Sequence, residues 1–108
     1  MALRDNLQLM LERGQDSPLL RYSLGLECMK AGDFLAAIDH LRKAVERNPG
    51  YSAAWKALGE AHASAGSPER AAEIFEQGIA AAEKSGDIQA AKEMTVFLKR
   101  LRRRPAAG

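Results

Sequence analysis

Few residues here could carry reaction chemistry. Cys28 and His62 lie 34 residues apart, and a thiolate activated by an imidazole is a workable nucleophile. The same pair could also supply half of a tetrahedral metal site. Neither use has a third ligand or an orienting group in the sequence. The other histidine, His40, follows Asp39 and reads as a solvated side chain. No phosphate loop, dinucleotide fingerprint or nucleophile elbow occurs. The expectation is therefore no catalytic residue, no cofactor, no metal and no small-molecule substrate.

The second chemical feature is charge. Lys99, Arg100, Arg102, Arg103 and Arg104 form a basic end, whereas the whole chain carries only +2. The first 98 residues are therefore mildly acidic. Such an end could hold phosphate, nucleic acid or an anionic surface. No aromatic residue follows Phe97 to stack on a base. Cations in a last helical turn are also favoured by the helix dipole.

These residues must be positioned by helices. The 108 residues contain 33 Ala and Leu but only 7 Val, Ile and Thr, a balance that favours helix over strand. Length and composition fit one folded domain. No apolar run approaches the roughly 18 residues of a membrane span. Asp5, Asn6, Gln8 and Glu12 interrupt the beginning, unlike a secretory or mitochondrial leader. With a single cysteine, the chain suits a reducing compartment, and the cytoplasm is the expectation.

Gly and Pro divide the sequence into six helix-sized segments. Leu3, Leu7, Met10 and Leu11 form the apolar stripe of the first. Ser17-Pro18, Asp33, Ser52, Ser67-Pro68 and Asp87 read as start signals. Gly14, Gly32, Gly66 and Gly86 stand at the ends. The sixth segment runs to about Arg103, ahead of Pro105.

A shift of 34 residues superposes the chain on itself. Leu24-Gly25 falls on Leu58-Gly59, Ala31-Gly32 on Ala65-Gly66, Ala37 on Ala71 and Leu41 on Phe75. Ala44 meets Gly78 and Val45 meets Ile79. The pattern resembles the tetratricopeptide repeat, a helical hairpin of this length. The signature places fall at Arg21, Leu24, Gly25, Cys28, Ala37, Leu41, Ala44 and Pro49. In the second unit they fall at Trp55, Leu58, Gly59, His62, Ala71, Phe75, Gly78 and Glu83. Arg21, Cys28, His62, Gly78 and Glu83 depart from it.

The resemblance implies an all-α, right-handed α-α superhelix of about six helices in one domain, 1–104. Residues 1–17 would be a capping half-repeat, 18–51 and 52–85 two full repeats, and 86–104 a capping helix begun two residues late. Residues 105–108 would be a disordered tail. Leu24, Leu41, Leu58, Phe75, Ile79 and Leu98 would fill the core. Gly25 and Gly59, costly in mid-helix, would permit close helix approach.

In the family, first helices line a concave surface that takes a peptide or helix. The corresponding places are Leu19, Tyr22, Leu26, Met29 and Lys30, then Ala53, Lys56, Glu60, Ala63 and Ser64. The last helix would add Gln89, Lys92, Val96, Lys99 and Arg100. This gives an apolar end and a cationic end, suited to a partner segment with an apolar anchor and acidic residues. The places where some members grip chaperone carboxylate tails hold Tyr22, Leu26, Ala57, Gln89 and Glu93, which do not match. The expected function is a non-catalytic protein-binding adaptor. The alternatives are anion or nucleic-acid binding by the basic end, and self-association.

Overall fold

A computed structural model describes residues 2–103. Among them the elements are six helices: α1 (Leu3–Glu12), α2 (Pro18–Lys30), α3 (Phe34–Arg47), α4 (Ser52–Ser64), α5 (Pro68–Ser85) and α6 (Ile88–Arg102). The tail expected at 105–108, and Arg104 of the basic end, lie outside the described residues.

Local chemistry starts and stops these helices. Ser17, Asp33 and Asp87 each accept a hydrogen bond from the backbone N–H three residues on, at 3.1, 3.3 and 3.1 Å. Two expected caps are not formed. Ser67 makes no side-chain cap bond, and Pro68 sets the first turn of α5. Ser52 lies inside α4, whose cap residue is Tyr51. The turn ahead of α4 is instead tied by the Trp55 indole N–H, which donates to the Pro49 carbonyl at 2.8 Å. Gly32 and Gly66 end their helices at φ of +75° and +86°, where a side chain would be strained. The next N–H then turns back to the Cys28 or His62 carbonyl at 2.9 Å.

Consecutive helices pack against one another, and α4 also touches α2 and α6. The result is a thin slab of 44 × 36 × 17 Å. Its thickness follows from one layer of first helices (α2, α4, α6) against one of second helices (α1, α3, α5). One core cluster joins α2, α3 and α4 with Ile74 of α5, and another joins α5 and α6. Trp55 packs against both.

Helix spacing is set where a large residue sits on a glycine. A Cβ at Gly25 would stand 2.5 Å from Leu41 Cγ, and one at Gly59 would stand 2.4 Å from Phe75 Cε1. Gly78 is similarly closed by Met94 Sδ at 2.6 Å and Trp55 Cβ at 2.8 Å. Leu24, Leu41, Leu58, Phe75 and Leu98 are buried as expected. Ile79 is only half-buried, because it lines an open depression beside α6.

Arg21, which stands where the repeat signature has Trp, is buried. Its guanidinium donates two parallel bonds to Asp16, both 2.8 Å, and a third to His40 Nδ1 at 3.1 Å. His40 is thus a half-buried acceptor and not the solvated side chain that its neighbour Asp39 suggests. Arg47 also pairs with Asp16. The bonds from Arg21, then those from Arg47, hold the Asp16 carboxyl well below the ordinary carboxylate range.

Two outcomes follow for stability. Gly59→Ala gains about 1 kcal/mol of helix propensity but overpacks Phe75 at a cost of about 1–3 kcal/mol. Its urea midpoint is expected to fall. Asp16→Asn weakens the pairing of a buried guanidinium and should lower stability by about 2 kcal/mol at neutral pH. Because the native carboxyl titrates below its unfolded value, its contribution is complete above about pH 4 and fades below it. Urea titrations of variant and parent should therefore converge as the pH is lowered.

Candidate functional site

Three of the helices bring their side chains to one hollow of about 410 Å³. Glu60, Ala63 and Ser64 of α4 form one wall, and Phe97, Arg100 and Leu101 of α6 the other. Phe75 of α5 completes the floor. Its ring stacks on Phe97, with centroids 5.6 Å apart and planes inclined by 14°. The Arg100 guanidinium lies 5.8 Å from the Phe97 centroid, within cation–π range. An aromatic floor therefore carries an acid on one rim and a base on the other.

Beside this hollow, Lys56 donates to Glu93 at 2.7 Å and bridges α4 to α6. Gln89 donates to the other oxygen of Glu93 at 3.3 Å. The pair consumes a cation that the sequence would offer to a ligand. Glu60, one turn along from Lys56, makes no ion pair among the described residues. Burial raises its carboxyl pKa, the nearby Lys56 lowers it, and Glu93 raises it; the net direction is upward.

The sequence-derived groove places divide in the fold. Tyr22 packs at 5.1 Å on Tyr51, and Leu26 and Met29 are half-buried against the first core cluster. Leu19 is exposed, and Lys30 pairs with Glu27 at 2.9 Å. Lys56 borders the hollow through its bridge, and Glu60, Ala63, Ser64 and Arg100 line it. Ala53 is exposed. Lys92, Val96 and Lys99 are not brought to it. They line a second depression of about 380 Å³ with Ile79, Glu83 and Ile88.

Helix phase explains the division. Ala91, Met94 and Leu98 are the buried stripe of α6. Glu93, Phe97, Arg100 and Leu101 flank it on the side of α4, whereas Lys92, Val96 and Lys99 flank it on another. Phe75, Phe97, Leu101 and Glu93 were absent from the sequence-derived groove. For Glu93, Phe97 and Leu101 the 3.6-residue period of α6 is the available signal, since it separates the two flanks of that helix; Phe75 lies on α5 and has no such signal.

The basic end is dispersed by the same geometry. Arg100 turns to the hollow, Lys99 to the second depression, and Arg102 pairs with Glu76 of α5. Arg103 is exposed.

Cys28 is fully buried in the first core cluster, and desolvation raises its thiol pKa. The charges that act on it are those of Arg4, Asp33 and Glu27. His62 is half-buried, and its pKa is lowered by burial and by Arg70, against an opposing effect of Glu73. Each of these residues thus has its own surroundings. Among the described residues no group of three His, Cys, Asp or Glu side chains is placed to hold a metal ion. Nor is any helix long and apolar enough to cross a membrane.

Stacked helical hairpins with a ligand-sized hollow on the face of the first helices define a helical-repeat protein. The tetratricopeptide repeat pattern matches residues 29–94. A tetratricopeptide repeat-containing protein of Pseudomonas aeruginosa is 48% identical over 99 residues, spanning 92% of this chain and 94% of that protein. A Bordetella parapertussis protein solved in solution aligns with a TM-score of 0.84 at 43% identity, over 95% of this chain and 90% of the other. A tetratricopeptide repeat domain protein of Salinibacter ruber shares the fold, with a TM-score of 0.78 at 22% identity over 86% and 94% of the two chains. The chain belongs to the tetratricopeptide repeat family, with its right-handed α-α superhelix. Members of this family are generally protein-interaction modules and non-catalytic scaffolds.

The raised Glu60 carboxyl gives a titration test. A carboxyl with a raised native pKa costs stability once ionised, so the penalty is complete above its native pKa and absent well below its unfolded value. Glu60→Gln should raise the urea midpoint at pH 7. The advantage should disappear below about pH 4.

Proposed function

We propose that this chain is a non-catalytic adaptor that binds a segment of a partner protein along the face formed by α2, α4 and α6. The observation that carries this reading is the hollow between α4 and α6, with its Phe75–Phe97 floor and its opposed Glu60 and Arg100 rims. An apolar or aromatic anchor would desolvate on that floor, where stacking adds about 0.5–1.5 kcal/mol beyond area burial. A carboxylate beside the anchor would meet Arg100, and the half-buried Tyr22, Leu26 and Met29 extend the face towards α2. The partner is accordingly a peptide or helix with an apolar anchor and acidic residues. The cytoplasm is the compartment we propose, because the lone thiol suits reducing conditions.

The dispersal of the basic end weighs against nucleic-acid binding. Arg100 stacks on Phe97 and Arg102 is paired with Glu76, so these cations do not form one stripe.

Arg100→Glu reverses the charge of an exposed side chain and leaves the core intact. Capture of a discrete protein by the parent should fall more than about tenfold with this variant, a loss of about 1.4 kcal/mol. Replacing Arg102 and Arg103 by Ser should leave capture unchanged. Affinity capture with nuclease present, on baits matched by circular dichroism, reads both effects. Equal capture by the parent and Arg100→Glu would remove the hollow from the function, and loss only with the Ser variant would move it to the basic end.

A further inference from the structure

The hollow between α4 and α6 holds one charge that the fold does not use. Glu60 is half-buried on the α4 wall and makes no ion pair among the described residues. Lys56, one turn before it, is taken by Glu93 at 2.7 Å, and Gln89 donates to the other Glu93 oxygen. The charges that act on Glu60 are those of Lys56 and Glu93, which oppose each other, and burial outweighs both. Arg100, on the far rim, lies over Phe97 instead. A carboxylate that gives up water without gaining a partner lowers stability. Groups that cost stability in this way are retained where binding needs them.

We infer that Glu60 determines the specificity of the hollow by pairing with a lysine or arginine of the partner segment, placed beside the apolar anchor and opposite the partner's acidic residue. The inference rests on the adaptor reading above and adds a second, opposite charge to the partner. The register of the two walls supports it. Lys56 meets Glu93, 37 residues on, and one turn further the same offset sets Glu60 level with Phe97. Arg100 stands three residues beyond Phe97, about 4.5 Å along the axis of α6. The acid and the base are thus displaced from each other both across the hollow and along it, with the Phe75–Phe97 floor between them.

The charges around the floor define what fits. Lys56 and Glu93 cancel, so one end of the hollow presents the negative charge of Glu60 and the other the positive charge of Arg100. An extended segment advances about 3.3 Å per residue, so charged residues within two positions of the anchor reach both rims. The stem of a lysine or arginine adds apolar contact on the aromatic floor while its head meets Glu60. A segment with acidic residues on both sides of the anchor satisfies Arg100 but sets a like charge against Glu60, and is rejected. Glu60 therefore separates partners that Arg100 alone would accept equally.

Selection from a random peptide library displayed on phage tests the inference, with the parent, Glu60→Gln and Arg100→Glu as baits checked by circular dichroism. Peptides held by the parent should carry Lys or Arg on one side of an apolar anchor and Asp or Glu on the other. Glu60→Gln should lose the basic preference and keep the acidic one, whereas Arg100→Glu should lose the acidic one. The strongest peptide is then synthesised with and without its basic residue, Lys or Arg being replaced by Gln. By fluorescence anisotropy that replacement should weaken binding to the parent about three- to tenfold and leave binding to Glu60→Gln unchanged. If the parent and Glu60→Gln select the same peptides and Arg100→Glu selects none of them, the role of Glu60 is overturned and the hollow stands as the binding site. Peptides selected equally by Arg100→Glu, or no selected peptide at all, would remove the hollow from the function and this inference with it.

Discussion

A helical hairpin of this length has an apolar face that it cannot bury by itself, and its neighbours must approach closely enough to bury it. Close approach depends on two glycines that receive large side chains: Gly25 beneath Leu41 and Gly59 beneath Phe75. Each glycine costs about 1 kcal/mol in mid-helix relative to Ala. The cost is offset because Leu41 and Phe75 become almost wholly buried, each worth about 1.5–3 kcal/mol of transfer free energy. Gly78 repeats the device one layer on, with Met94 above it. The slab, the common face of the first helices and the hollow between α4 and α6 all follow from that spacing.

The hollow exists because of how α5 and α6 resolve this packing. Phe75 serves twice, as the knob on Gly59 and as the floor of the hollow, where it stacks on Phe97. The Lys56–Glu93 bridge spans the same two helices beside it. Core packing and the candidate binding surface therefore share a residue. A change at Phe75 would confuse folding with binding, whereas Arg100 stands on the rim and separates them.

Arg21 shows how a degenerate repeat keeps its core. Where the second unit places Trp55, the first places a guanidinium, which would be expensive to bury alone. Asp16 satisfies it through two bonds and His40 through a third, and Arg47 in turn meets Asp16. Trp55 solves the same problem differently, with its ring between the two core clusters and its N–H on the Pro49 carbonyl. The two hairpins are thus equivalent in backbone and different in chemistry.

Much of the architecture could be read from residue order, because helix signals are local. The Gly32 and Gly66 stops, the Asp33 and Asp87 caps and the 34-residue recurrence of Leu24-Gly25 each depend on neighbours within a turn or on simple spacing. The buried stripe Ala91, Met94 and Leu98 was readable for the same reason. What could not be read was how a helix is rotated against a partner distant in sequence. The 3.6-residue period separates Phe97 and Arg100 from Lys92, Val96 and Lys99, but it does not say which flank looks towards α4. Packing of Met94 on Gly78 decides that, and it sends three of the expected groove residues to the far depression. The pairing of Lys56 with Glu93 and of Arg21 with His40 was hidden for the same physical reason. Ion pairs and hydrogen bonds between helices depend on distances of a few ångströms, set only when the whole stack has closed.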